Sequence, residues 1–361
     1  MKTLLIATFG LTTLCAFTAS GQNTLNPANA AFALVPPATA SGLAAKKDSP
    51  EARKIVKRAT DDLTATPHPL ATIHTEGTLP HQGIYDQSKA AEADFPILLD
   101  LALSYRLTSD TRYLNAADAY LVAWASIYNI SLDPIDETNM DKIIIAYDLT
   151  RDALPESTRQ KVTLFLRHMV DGYAGAVVQK KKDAGNWQSH RIKLLSLSAF
   201  ALGDPSLIRK AHEAFSEHLR ANIRPDGSVY DFYERDALHY VTYDLEPLTV
   251  ACLAAMMHGQ DWFSEGAPHS VAKAIDWVLP FATGQKTHVE FVNSKVKFDK
   301  TRAGAGIGEY GAHQWQPAGS ITLLTLATAL DPARRDVCQQ VASTAGKGFS
   351  DWIVLLFWAK S

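Results

Sequence analysis

Apolar residues recur at spacings of three and four along most of the chain, as at Ile97, Leu98, Leu101, Ala102 and Tyr105, which puts them on one face of a helix. Strand-like alternation is nearly confined to residues 288–298. Three stretches, 99–125, 195–219 and 323–342, share one plan: an apolar helix, a short turn containing aspartate, and a second, amphipathic helix. Asp110, Asp204 and Asp331 stand where an N-cap is wanted, and Pro205 and Pro332 fit the first helical position. A helical hairpin of this kind cannot bury both faces alone, so the copies must stack on one another. Their irregular spacing argues against a straight solenoid. The pattern predicts an all-α fold, an (α/α) toroid or incomplete barrel of stacked hairpins, with a short β-hairpin-like segment near 287–300.

Residues 1–20, MKTLLIATFGLTTLCAFTAS, carry one lysine, an apolar stretch and then small residues, the layout of a secretory signal peptide. The mature protein is therefore expected to be secreted or periplasmic, with no membrane attachment once the leader is removed. Residues 21–48, rich in Ala, Pro, Asn, Thr and Ser, have no period and read as a flexible lead-in. A single domain is expected over 49–361. Hydrophobic residues make up 47% of the 361, charged residues 20%, and the net charge is −3, which describes a globular protein with ample core and no bias toward nucleic acid. A site for a polyanion must then be a local basic patch. Cys252 and Cys338 can pair in an oxidising compartment, although buried free thiols are the commoner outcome inside apolar helices. A monomer is expected.

Three stretches do not read as helix filler. In GNWQSHRIKL (185–194), Asn186, Trp187 and His190 open a helix. Asn186 is either a plain cap or, with the helix's unpaired donors, a place to hold a carboxylate. Residues 226–248 pack Tyr230, Tyr233, Arg235, His239, Tyr240 and Tyr243 together. In a helix beginning near Asp236, His239 and Tyr243 share a face. Residues 287–310 combine the extended segment with Lys295, Lys297, Lys300 and Arg302, then a glycine-rich loop. Those glycines do not follow a strand and open a helix, so they form no dinucleotide cradle. His190, His239, His288 and His313 lack the spacing of a metal-ligand set, and neither metal nor any other cofactor is expected.

The ordered combination of NWxxH, DGSxxxxxERDALHY followed by YxLEPL, and EFVNSxVxFDxxR resembles the alginate lyase domain family. PHQGIYDQS (80–88), WASIYNISLDPIDETNMD (124–141) and AYDLTRDAL (146–154) extend the resemblance to nearly the whole mature chain. It implies an (α/α) toroid and cleavage of an acidic polysaccharide by β-elimination, with alginate or polymannuronate as substrate and glucuronan or another polyuronate as the alternative. It also implies an Asn and a His that neutralise the uronate carboxylate, here Asn186 and His190, a Tyr that moves the protons, here Tyr240, and an assisting Arg, here Arg235. The better-known members carry Asn and His adjacent, whereas Asn186 and His190 are four apart, and His239 or Tyr243 remain alternatives for a part in the chemistry.

β-Elimination needs these residue types. The C5 proton of a uronate is very weakly acidic while its carboxylate stays charged, so donors aimed at the carboxylate must stabilise an enolate-like transition state. A tyrosine can act as base and then acid if cationic neighbours lower its pKa from near ~10. Flanking uronates call for cations such as Arg191, Lys193, Lys297 and Arg302, and sugar rings for aromatics such as Trp124, Tyr128, Trp187 and Trp315. Two rivals remain at this level: a glycoside hydrolase, which would need two carboxylates across a cleft, with Asp231, Glu234 and Asp236 on offer, and a carbohydrate-binding protein without catalysis.

Overall fold

The periodic segments form helices, which in chain order are α1 (Pro37–Gly42), α2 (Pro50–Asp61), α3 (Tyr85–Glu92), α4 (Asp94–Thr108), α5 (Thr111–Ile127), α6 (Asp141–Thr150), α7 (Glu156–Gln179), α8 (Asn186–Leu202), α9 (Pro205–Asn222), α10 (Tyr230–Arg235), α11 (Leu238–Met257), α12 (Val271–Ala282), α13 (Lys297–Gly304), α14 (Ile321–Leu330), α15 (Arg335–Ala345) and α16 (Asp351–Phe357). The computed structural model describes residues 31–180 and 183–358. Helices that are apolar on every side belong inside. Accordingly α4, α6, α8, α11 and α14 bury most of their residues. Helices with one polar stripe lie outside them: α5 packs on α4, α9 on α8, α12 on α11 and α15 on α14, while α7 lies against α5 and α8. Contacts between inner helices run α4–α6–α8–α11–α14 and return through α16 and α2 to α4, so this is an (α/α) toroid whose ring closes.

The three aspartates expected to start outer helices do so. Asp110 accepts from the Arg112 N–H at 2.9 Å, and Asp204 from those of Ser206 and Leu207 at 3.0 and 3.2 Å. Asp331 accepts from Ala333 at 3.1 Å and opens the 3₁₀ turn that leads into α15. Cys252 and Cys338 are both buried free thiols. Among the described residues no helix is long and apolar enough to cross a membrane. The leader at 1–20 lies outside the described residues.

Two expectations are corrected. The lead-in is not flexible over 31–48, because its apolar run AFALV finds a buried anchor. The Asp148 carboxylate on α6 accepts from the N–H groups of Ala33, Leu34 and Val35 at 2.7–3.0 Å, and these three residues are fully buried. Phe32 stacks on His258 with ring centroids 4.2 Å apart. Replacing Asp148 with Ala leaves three inward N–H groups without their acceptor and is expected to cost on the order of 2–4 kcal/mol, read as a lower urea midpoint with unchanged slope.

The second correction concerns 287–300, which is not a hairpin. Its strand, β1, is only Val289–Glu290, and it pairs antiparallel with β2 (His313–Gln314) beyond the glycine loop. Alternation fails at Phe291, whose φ of 61° is outside strand geometry. From Lys297 the chain turns helical.

Candidate active site

The corner between α10 and α11 carries the aromatic and cationic cluster. α10 ends at Asp236, whose φ of 51° is left-handed, a conformation aspartate tolerates better than most residues. This sharp turn brings Arg235 back over the first turn of α11, with its guanidinium 3.9 Å from the centre of the Tyr240 ring. The β1 segment then buttresses the corner. Phe291 N–H donates to the Asp236 carbonyl at 2.8 Å, Asn293 to its carboxylate, and the buried Glu290 carboxylate accepts the His239 N–H at 2.6 Å, capping α11 from a distance in sequence. Asp299 on α13, 1% exposed, holds Arg235 Nη1 at 2.5 Å.

The same helix delivers Arg302, whose Nη1 donates to the Tyr240 hydroxyl at 3.1 Å. Tyr310 lies beneath the Arg302 guanidinium, which is 4.6 Å from the centre of its ring. Burial pushes the Tyr240 phenol above its ordinary range, and the Arg235 and Arg302 charges pull in the opposite direction.

Farther along α11, Tyr243 lies nearly parallel to His239, ring centroids 6.4 Å apart at 7°, and 4.5 Å from His190 of α8. His190 is 3% exposed. Its Nδ1 lies 2.7 Å from Thr138 Oγ1, and its Nε2 has no hydrogen-bond partner. Burial, with Lys193 acting in the same sense, holds the imidazole pKa well below the ordinary histidine value, so the ring is neutral. Pro247 lies inside α11 and has no N–H, which frees the Tyr243 carbonyl four residues earlier to act weakly on this imidazole.

His190, Arg235, His239, Tyr240, Tyr243 and Arg302 are thus brought together, and other expected site residues are not. Asn186 does not cap α8; Gly185 does, and Asn186 is the first helical residue. Its backbone N–H and side-chain amide both donate to Asp231 at 2.7 Å, so the protein's own carboxylate lies at this helix start. A Cβ on Gly185 would come within 2.7 Å of the Asp231 carboxylate, which explains the glycine. Trp124 is fully buried and donates to Asp94 at 2.8 Å, and Tyr128, also buried, donates to Glu137 at 2.9 Å; neither can stack on a sugar ring. Arg191 is buried and spent on Asp183 at 2.7 Å and Gln188 at 3.1 Å, leaving half-buried Trp187 beneath its guanidinium. Lys193 is consumed by Asp141 and Thr138. Lys297 is exposed at the start of α13.

The acids that a hydrolase would have used are occupied too. Asp231 serves Asn186, Asp236 serves Asn293 and His288, and Glu234 pairs with Lys295 at 3.0 Å. Sequence reasoning missed the contact of Arg302 with the phenol and had no role for Thr138, Glu290 or Tyr310. Arg302 and Tyr240 stand 62 residues apart, a separation that no local spacing rule spans. Among the described residues no group of three or more His, Cys, Asp or Glu side chains is placed to hold a metal ion.

A ring of stacked helical hairpins is the (α/α)-toroid fold of polysaccharide lyases of the alginate lyase type. The sequence matches the family described as Alginate lyase over residues 42–288, and the chain belongs to that family. It is a polysaccharide lyase. No curated protein matches it. Among solved structures it is similar to an alginate lyase from Bacteroides ovatus, with a TM-score of 0.68 and 16% identity over 92% of this chain and 100% of that one. Alginate lyase A1-III from Sphingomonas species A1 superposes with a TM-score of 0.59 and 17% identity over 91% of this chain and 98% of that one. A tyrosine-to-phenylalanine variant of the latter, complexed with a tetrasaccharide, gives a TM-score of 0.60 at 16% identity over 91% and 98%. At such identities these likenesses speak for the shared fold.

Proposed function

We propose that the protein cleaves a polyuronate by β-elimination, with Tyr240 as both base and acid. The observation that carries this reading is the Tyr240 hydroxyl, held by Arg302 at 3.1 Å with Arg235 over its ring, and the neighbouring Tyr243, whose ring lies 4.5 Å from that of His190, a histidine with an unpartnered Nε2. His190 donates to the uronate carboxylate and lets charge spread onto it as the C5 proton leaves, as in an oxyanion hole. The two guanidiniums favour the phenolate that takes that proton. Electrons of the C5–H bond form the C4–C5 double bond, the C4–O bond breaks, and the phenol returns its proton to the departing oxygen. Asn186, its amide spent on Asp231, sets the start of α8 and hence the placement of His190 one turn on.

One phenol serves both steps only where the C5 hydrogen and C4 oxygen lie on the same side of the sugar. Mannuronate and glucuronate share that arrangement and guluronate inverts it. Mannuronan, the polymannuronate form of alginate, is therefore the first expected substrate, with glucuronan next. Lys297, exposed on α13, the helix that also carries Arg302, is the cation assigned to a neighbouring uronate in this reading. The leader at 1–20 fits an enzyme that meets its polymer outside the cytoplasm.

The test is incubation of the mature protein with mannuronan, glucuronan and guluronan, following the ultraviolet absorbance of the unsaturated product. The expected result is strong absorbance growth with the first or second polymer and little with the third. New reducing ends without that absorbance would overturn elimination in favour of hydrolysis.

A further inference from the structure

Thr138 opens the 3₁₀ turn Thr138–Met140 that leads into α6, and its hydroxyl has two neighbours: His190 Nδ1 at 2.7 Å and Lys193 Nζ at 2.9 Å. An ammonium group can only donate, so the Lys193 bond uses an acceptor position of the hydroxyl. The hydroxyl's single proton then has His190 Nδ1 as its acceptor. Were Nδ1 itself protonated, two donors would converge on Thr138 Oγ1 and its own proton would be left without a partner, a costly arrangement in a buried site.

We propose that Thr138 is a positioning residue: its hydroxyl, turned by Lys193, donates to His190 Nδ1 and fixes the imidazole as the tautomer that carries its proton on Nε2. Because the ring is neutral, that assignment decides whether the buried, unpartnered Nε2 is a donor or an acceptor. An Nε2–H suits a carboxylate oxygen; a bare Nε2 would repel it. A buried donor with no more than the weak pull of the Tyr243 carbonyl is unfavourable by itself, and an incoming carboxylate relieves it.

The surroundings pin Thr138 from both sides. Its carbonyl accepts a second bond from Lys193 at 2.7 Å, and Lys193 is held in turn by Asp141 at 3.0 Å. Glu137, the preceding residue and fully buried, accepts from the Tyr128 hydroxyl at 2.9 Å, from the Ser131 N–H and hydroxyl, and from the Tyr173 hydroxyl. Before it, Asp136 takes the N–H groups of Thr75 and Glu76 at 2.8 and 2.9 Å. Three consecutive residues, 136–138, therefore tie an outer loop, the core and His190 into one hydrogen-bonded strip.

The inference takes from the β-elimination reading what His190 does, but not how its ring is held, and the experiment separates the two. In protein labelled with ¹⁵N-histidine, the His190 signal, identified by its loss in His190→Gln, is expected to show an acceptor-type Nδ1 and a proton-bearing Nε2, unchanged across neutral pH. A proton on Nδ1, or a ring that titrates near neutrality, overturns the proposal whether or not any polymer is cleaved. In the kinetic arm, Thr138→Val is expected to lower kcat on the cleaved polyuronate by about tenfold with a smaller change in KM, while Thr138→Ser keeps most of the activity. Wild-type kcat in Thr138→Val, or a serine variant as poor as the valine one at unchanged melting temperature, would also overturn it.

Discussion

Replacing Tyr240 with Phe is expected to lower turnover on a polyuronate by between about a hundredfold and ten-thousandfold, the range that a single residue in proton transfer usually supplies. The substitution removes one oxygen and nothing else. The ring stays beneath the Arg235 guanidinium and against Phe291, so the corner between α10 and α11 keeps its packing. Binding of the polymer should change little, because the phenol acts chiefly once the proton moves. Initial rates of absorbance growth and a thermal melt give the check. Loss of turnover at an unchanged melting temperature is the expected pair, and a variant with near-native kcat would remove Tyr240 from the chemistry.

Arg302→Met is expected to lower kcat by about a hundredfold and to displace the pH profile. The direction follows from the charge. The guanidinium pulls the Tyr240 phenol down against the push of burial, so removing it raises the phenol pKa. A phenolate base becomes available only as pH approaches that pKa, and the rising limb of kcat/KM should therefore move to higher pH in the variant. Arg235→Met, which strips a cation from the ring face and not from the oxygen, should move the limb in the same direction. A profile in Arg302→Met that is scaled down without displacement would mean that Arg302 only binds substrate.

Local rules carried the architecture. An aspartate before an amphipathic helix is a short-range signal, and Asp110, Asp204 and Asp331 all act as it predicts, which fixes where inner helices give way to outer ones. The pairing of an apolar helix with an amphipathic one was legible in the same three stretches, and it is the apolar partner that lies on the inner side. Composition misled at the N-terminal segment, where the Ala- and Pro-rich stretch hid AFALV, whose backbone meets Asp148 from more than a hundred residues away. Periodicity misled at 287–300, because alternation of side chains does not register a left-handed residue such as Phe291.

The site was legible where its members lie close in sequence. Arg235, His239, Tyr240 and Tyr243 share one corner and were visible as a cluster. What the chain brings in from elsewhere was not: Arg302 on the phenol, Glu290 on the start of α11, and Thr138 on His190. Aromatic residues were the weakest guide, since Trp124 and Tyr128 serve the core, where their polar atoms satisfy buried carboxylates. Asn186 illustrates a subtler limit. Its type and its place at a helix start were right for holding an anion, yet the anion is Asp231 of the same chain.

The most direct measurement is a crystal structure of the Tyr240→Phe variant with a mannuronate tetrasaccharide. A uronate carboxylate is expected within hydrogen-bond distance of His190 Nε2, with the C5 hydrogen of that sugar turned toward the place of the missing hydroxyl and its C4 oxygen on the same side. A tetrasaccharide bound with its carboxylates away from His190, or with C5 turned from residue 240, would contradict that expectation.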